Sequence, residues 1–229
     1  MTDPKLPRRR VVTGLGIGAV GAGLAAATIA DGARADMPPP RWHPTFERDD
    51  SWLERPCRHR MVFDATSPNG AGEALTFADN FLVANKSDYK IEAADLSLVI
   101  VLRHMATPFA YNDAVWAQYG AVLSEMTKFT DPATNKPPTV NLYNAKSRDK
   151  LSNRGVTLDD LIAQGVQFAV CGMATAGISG AIAKKLKLDK DAVHKDILAN
   201  LVGNSHLTAA GIVAVGRAQE HGYPLAYVG

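Results

Sequence analysis

Leu96-Ser97-Leu98-Val99-Ile100-Val101-Leu102 is a short, continuous and β-branched run, broken only by Ser97 and followed at once by Arg103-His104. An apolar run without alternation reads as a strand covered on both faces, which is the condition of a parallel sheet between helices. The flanking sequence fits that reading. Upstream, Arg60 to Ala65 reads as a first strand and Thr66 to Gly72 as a turn. Glu73 to Val83 then sets Leu75, Ala78, Phe81 and Leu82 on one helical face. Downstream, Asn112 to Lys128 places Val115, Tyr119, Leu123 and Met126 at helical spacing. Asp131 to Arg154, with three prolines, reads as an irregular insertion with a small hairpin around Thr139-Val140-Asn141-Leu142-Tyr143. A short helix, Leu158 to Gln164, is ended by Gly165. Val166 to Val170 is a third strand running into Cys171. Ile178 to Leu186 and Ala192 to Val202 read as helices, Leu207 as a short strand or turn, Gly211 to His221 as a helix and Pro224 to Val228 as a closing strand. Alternating strands and helices imply right-handed crossovers. The expectation is one three-layer α/β domain over residues 58–229, with four or five mostly parallel strands.

The segment before it has another character. The chain of 229 residues carries 25 basic and 23 acidic side chains, a formal charge of +2. Arg8, Arg9 and Arg10 precede an uncharged stretch, Val11 to Ala30, in which eleven residues are Gly or Ala. Ala33-Arg34-Ala35 follows as a small-residue cleavage pattern. Basic, apolar and cleavable regions in that order are the layout of a secretory signal. Arg8-Arg9 followed by x-Val-Val resembles the twin-arginine signal, which implies passage through the twin-arginine translocase to a periplasmic or secreted location. An uncleaved anchor is the alternative, because the stretch is long enough to span a bilayer. Gly16-Ile17-Gly18-Ala19-Val20-Gly21 imitates a dinucleotide fingerprint, but the place of its second strand is taken by Met37-Pro38-Pro39-Pro40. Removing residues 1–35 leaves 20 basic and 21 acidic groups on 194 residues, a net −1 that predicts no nucleic-acid partner, and cleavage is expected to leave no stable membrane anchor. Residues 36–57 read as an extended arm with Trp42, Phe46 and Trp52 as anchors.

Open α/β sheets bind ligands beyond the carboxyl ends of their strands. Cys171 stands at such an end, ahead of Gly172-Met173-Ala174 and a helix. A helix amino-terminus favours a thiolate and raises its reactivity; a buried, inert thiol is the competing reading. His104, after Arg103 at the end of the second strand, can carry a proton or serve only as a hydrogen-bonded structural histidine. Arg103, Gly172 and Met173 complete the candidate ligand-binding set. Met105 and Met173 flank His104 and Cys171, a donor set that suits copper, but no recognised ligand spacing is present, and neither metal nor cofactor is expected. Cys57 precedes the first strand, at the opposite end of the sheet from Cys171. A strand of five or six residues spans roughly 17–20 Å, too far for a disulfide, whose Cα atoms lie within about 7 Å.

Gly165-Val166-Gln167-Phe168-Ala169-Val170-Cys171-Gly172 resembles the strand-then-cysteine segment of the DsrE/DsrF sulfur-relay superfamily. Ala209 to Tyr223 resembles the carboxy-terminal helix and turn of its stand-alone members, and the strand ending at Arg103-His104 resembles their second strand, where relatives often carry a histidine. The resemblance implies a flavodoxin-like α/β fold, homo-oligomers of three or six copies, and a persulfide-carrying role for Cys171 with His104 assisting. The stretch after the cysteine departs from the relay pattern: Gly172-Met173-Ala174-Thr175-Ala176-Gly177 replaces an Ala-rich run with paired arginines. The same fold also suits a non-catalytic periplasmic protein that binds a small ligand or metal, or an assembly subunit.

Overall fold

All seven residues of Leu96–Leu102 are buried, and they form the middle strand of a five-stranded, wholly parallel sheet of order β4-β3-β2-β1-β5. In chain order these are β1 (His59–Ala65), β2 (Leu96–Leu102), β3 (Gln167–Cys171), β4 (Ser205–Thr208) and β5 (Leu225–Val228). The helices are α1 (Pro68–Tyr89), α2 (Asp113–Thr127), α3 (Leu158–Ala163), α4 (Gly172–Leu186), α5 (Lys190–Ala199) and α6 (Gly211–Glu220). The computed structural model describes residues 49–146 and 150–229. Arg8, Arg9, Ala33, Ala35 and the arm residues Trp42 and Phe46 lie outside them.

The layers follow from the strand order. From β1 to β4 each strand lies beside its predecessor in one direction, so right-handed crossovers put their helices on one face. The step from β4 to β5 returns across the sheet and carries α6 to the other. Side chains alternate accordingly. Phe63, Ala65, Leu98, Ile100, Leu102, Phe168 and Val170 enter the large core beneath α1 to α5. Val62, Val99, Val101 and Ala169 meet Ala214, Val215 and Ala218 of α6, together with Leu53 and Tyr223, in a smaller one. The result is a three-layer, flavodoxin-like α/β sandwich in which β1 lies between β2 and the last strand, β5, which forms the edge.

Several boundaries differ from the sequence expectation. Helix α1 begins at Pro68, inside the expected turn: Ser67 accepts from the Gly70 N–H at 2.9 Å, and proline sits at a helix start without losing a bond. Helix α4 begins directly after Cys171 rather than at Ile178. The hairpin at 139–143 is absent. A short 3-10 turn, Leu142–Asn144, stands there instead. Asn141 dictates this: its amide donates to the carbonyls of Phe109 and Tyr111 at 2.9 and 2.8 Å, and its oxygen accepts from the Tyr143 N–H. Tyr143 is thereby seated against Phe109, centroids 4.7 Å apart, with Trp116 and Phe129 on the same ring.

The amino-terminal side of α6's layer is closed by the first described residues. Trp52 stacks on His206 with centroids 4.3 Å apart. Asp50 accepts from Arg217 at 2.7 Å, and the Leu53 carbonyl from the Tyr223 hydroxyl at 3.1 Å.

Candidate functional site

Adjacent strands whose exits turn to opposite faces leave a crevice between them, and in this sheet those strands are β3 and β4. β3 leads into α4 on one face, and β4 through Ala209-Ala210 into α6 on the other. Cys171, paired with Thr208, is the last residue of β3 at that point. It is also the N-cap of the fifteen-residue α4, with Sγ accepting from the Ala174 N–H at 3.4 Å. The crevice is narrow. A Cβ on Gly172 would lie 2.5 Å from the Thr208 carbonyl oxygen, so only glycine lets α4 start here, and the Met173 N–H donates to Ala209 at 3.2 Å. Cys171 is 7% exposed, whereas Met173 in the first turn of α4 is 73% exposed.

Arg103 comes to the same place through the sheet register. The last β2–β3 pair is Leu102 with Val170, so the next residues along, Arg103 and Cys171, fall side by side and on α6's face. The guanidinium is held by Asp64 of β1 in a two-point contact, Nε to Oδ1 at 2.7 Å and Nη2 to Oδ2 at 2.9 Å. Hydrogen bonding to Asp64 keeps the Arg103 guanidinium above its ordinary range against the opposing effect of burial, and Tyr227 and Cys171 lie within electrostatic reach. Helix α6 starts over this side chain: a Cβ on Gly211 would stand 2.3 Å from the Arg103 Cβ. From the other side comes Tyr111, wholly buried, donating to Thr175 of α4 at 3.0 Å. Burial raises the Tyr111 phenol well above its usual value, with Thr175 opposing and Cys171 adding.

His104 does not end β2. The strand stops at Leu102, and His104 opens a 3-10 turn, His104–Ala110, with φ 54° and an exposed ring. The left-handed backbone turns the chain out of the sheet, and the Met105 N–H is caught by the Thr66 carbonyl at 3.1 Å. Cys171, Arg103, Gly172 and Met173 are therefore neighbours around one crevice, and His104 follows Arg103 in the exposed turn that leaves β2. Asp64, Tyr111, Thr175 and Tyr227 were missed. Asp64 alone carried a signal, being an acid in an apolar strand, which demands a partner. Cys57 and Cys171 are both free thiols, Cys57 lying ahead of β1 and Cys171 at the far end of β3. Among the described residues, no group of three or more His, Cys, Asp or Glu side chains is placed to hold a metal ion.

No protein-family profile matches the chain, and no curated protein matches it. A solved structure of a protein of unknown function from Methanobacterium thermoautotrophicum is similar over 74% of this chain and 99% of its own length, at 14% identity and a TM-score of 0.36.

Proposed function

We propose that the protein is an exported DsrE-like carrier of reduced sulfur, with Cys171 as the acceptor. The observation that supports this most is the position of the thiol. It caps α4 at the sheet's topological switch point, with Sγ accepting the Ala174 N–H, at the strand end where open α/β sheets hold their ligands. Arg103 adds a cation beside it, and exposed His104 supplies a proton as sulfur leaves. The carrier needs no cofactor, because the sulfur is held covalently.

Incubation with a persulfide donor tests the reading. Mass spectrometry should find one added sulfur atom, about 32 Da, on the wild type and none on Cys171→Ser. A second reading, a cap thiol in a protein that holds its ligand without reacting, is favoured by the low exposure of Cys171. Alkylation of the folded protein separates the two: a carrier thiol is labelled at Cys171 by a small reagent at neutral pH, and a cap thiol is labelled only after unfolding.

The same proposal places the mature chain in the periplasm or outside the cell, with Arg8 and Arg9 read by the twin-arginine translocase and cleavage after Ala35. Among the described residues, no helix is long and apolar enough to cross a membrane. Replacing both arginines by lysine should leave precursor in the cytoplasm, and sequencing the exported form should begin at Asp36; an exported form that begins at Met1 would favour the uncleaved anchor. Assembly into trimers or hexamers belongs to the same resemblance. It is supported by apolar side chains left uncovered on α6's face, Ile212, Val213, Leu225 and Tyr227.

A further inference from the structure

Four ionisable side chains converge at the carboxyl edge on α6's face: Asp64, Arg103, Cys171 and Tyr227. Their exposure is unequal in a telling way. Within the ion pair the Asp64 side chain is 5% exposed and that of Arg103 25%. The negative partner is thus turned into the sheet and the positive one towards solvent. A guanidinium has five N–H donors, and Asp64 engages one on Nε and one on Nη2. The donors left over belong to a side chain whose neighbour in the sheet register is Cys171. The guanidinium is within electrostatic reach of that thiol and is held in direction by the carboxylate behind it. Neither α4 nor α6, whose amino-termini meet here from opposite faces, carries an acid in its first turn. Nothing anionic on those turns competes for the arginine.

We infer that the sulfur donor read by this site is a small oxyanion bearing a sulfane sulfur, of the thiosulfate class, and that Arg103 is the specificity-determining residue that seats its charge. The inference rests on the sulfur-carrier reading of Cys171. The step balances without an added oxidant. The Cys171 thiolate, its proton lost to solvent, attacks the outer sulfur of thiosulfate. A new S–S bond forms on Cys171 as the S–S bond to the sulfonate sulfur breaks, and sulfite leaves with the electron pair. Arg103 holds the sulfonate oxygens in the donor and the growing charge on sulfite.

The test uses the mature protein in a Cys57→Ser background and two readouts. Alkylation of Cys171 by anionic iodoacetate is compared with alkylation by neutral iodoacetamide. Sulfur loading is then followed by mass spectrometry, with thiosulfate and with the hydropersulfide of 2-mercaptoethanol, which has no oxyanion. Arg103→Met should lower the iodoacetate-to-iodoacetamide rate ratio roughly three- to tenfold, the scale of one charge a few ångströms away. High salt should compress the wild-type ratio. Loading from thiosulfate should fall with the ratio, and loading from the hydropersulfide should not. Should Arg103→Met fold poorly with Asp64 left unpaired, the double variant Asp64→Asn/Arg103→Met, compared with Asp64→Asn alone, carries the same expectation. An unchanged ratio in the folded variant overturns the inference, as does a Cys171 that reacts with neither reagent. Loading from the hydropersulfide but not from thiosulfate overturns the oxyanion and leaves the carrier standing; loading from neither overturns both.

Discussion

Asp64 gives both carboxylate oxygens to Arg103 and has almost no contact with water, so the two halves of this pair are not equally expendable. Arg103→Met strands a buried charge and should cost about 3–5 kcal/mol. Adding Asp64→Asn should return most of it, because the remaining group is neutral. Urea unfolding of both variants at neutral pH checks this, and equal stabilities would mean that Asp64 is better solvated than its burial implies. His206 gives a prediction in pH. Burial lowers its pKa from the model-peptide value of 6.5, with the Asp49 carboxylate opposing. The folded state therefore prefers the neutral ring stacked on Trp52 and bonded to Gln167 at 2.8 Å. The unfolded chain takes up the proton first as pH drops. This contribution is full above about pH 6.5 and is lost as pH falls through the lower folded value. His206→Gln should flatten that part of the stability profile in urea titrations between pH 8 and 5. At this scale the sequence was partly legible. Cys171 and Arg103 could be picked out because each follows an apolar strand, but the partner of Asp64 is 39 residues away and is set by sheet pairing alone.

Helix α4 shows what a short-range pattern conceals. Gly172-Met173-Ala174-Thr175-Ala176-Gly177 reads as a loop because small residues lack an apolar stripe, yet it is the helix's first turns. Small residues are what the packing there requires, since Gly172 abuts the β4 exit. The same bias hid the start of α1, where Ser67-Pro68-Asn69-Gly70 has turn composition and N-cap chemistry at once. Helices with strong apolar periodicity, such as α2, were legible to within a residue, Asn112 serving as its cap. The N-cap role of Cys171 separates structure from chemistry. Serine is a good cap, so Cys171→Ser should stay within about 1 kcal/mol of wild type, while Cys171→Ala loses the cap at a cost of about 0.5–2 kcal/mol. Thermal unfolding of the pair decides it, and it makes the serine variant the proper control for every sulfur measurement. Asn141 is the comparable anchor of the long excursion between α2 and α3. Asn141→Ala leaves two buried carbonyls short of a donor, about 1–3 kcal/mol for each group. Chemical denaturation should show a loss of about 2–6 kcal/mol for the two groups together, with the tyrosine and tryptophan fluorescence of the Phe109, Trp116 and Tyr143 cluster changing alongside.

That the sheet would be parallel could be read from its buried, non-alternating strands; the order of those strands could not, because nothing local says where the last one returns. The return of β5 to β1 sets the whole molecule. It brings α6 across the second face, creates the crevice between β3 and β4, and closes the fold with residues about 160 positions apart, Val62 with Leu225 through Ala65 with Val228. Two of the four β5 side chains do little of this work: Leu225 is 41% exposed and Tyr227 64% exposed, whereas the backbone carries the pairing and takes the Thr66 N–H on the Val228 carbonyl at 3.3 Å. Two substitutions therefore should differ sharply. Replacing Leu225 and Tyr227 by threonine keeps the ladder and β propensity, and should shift stability by no more than about 1 kcal/mol. Deleting residues 225–229 leaves β1 as a bare edge with its amide and carbonyl groups unmatched. It also opens the main core beside Val228, 3% exposed in the intact chain. The truncated chain should lose its cooperative thermal transition by circular dichroism and sediment as aggregate, while the double threonine variant melts as one unit. A truncated chain that still melts cooperatively would show that α6 finds its place without β5. The crevice around Cys171 would then owe its geometry to the β4 exit alone.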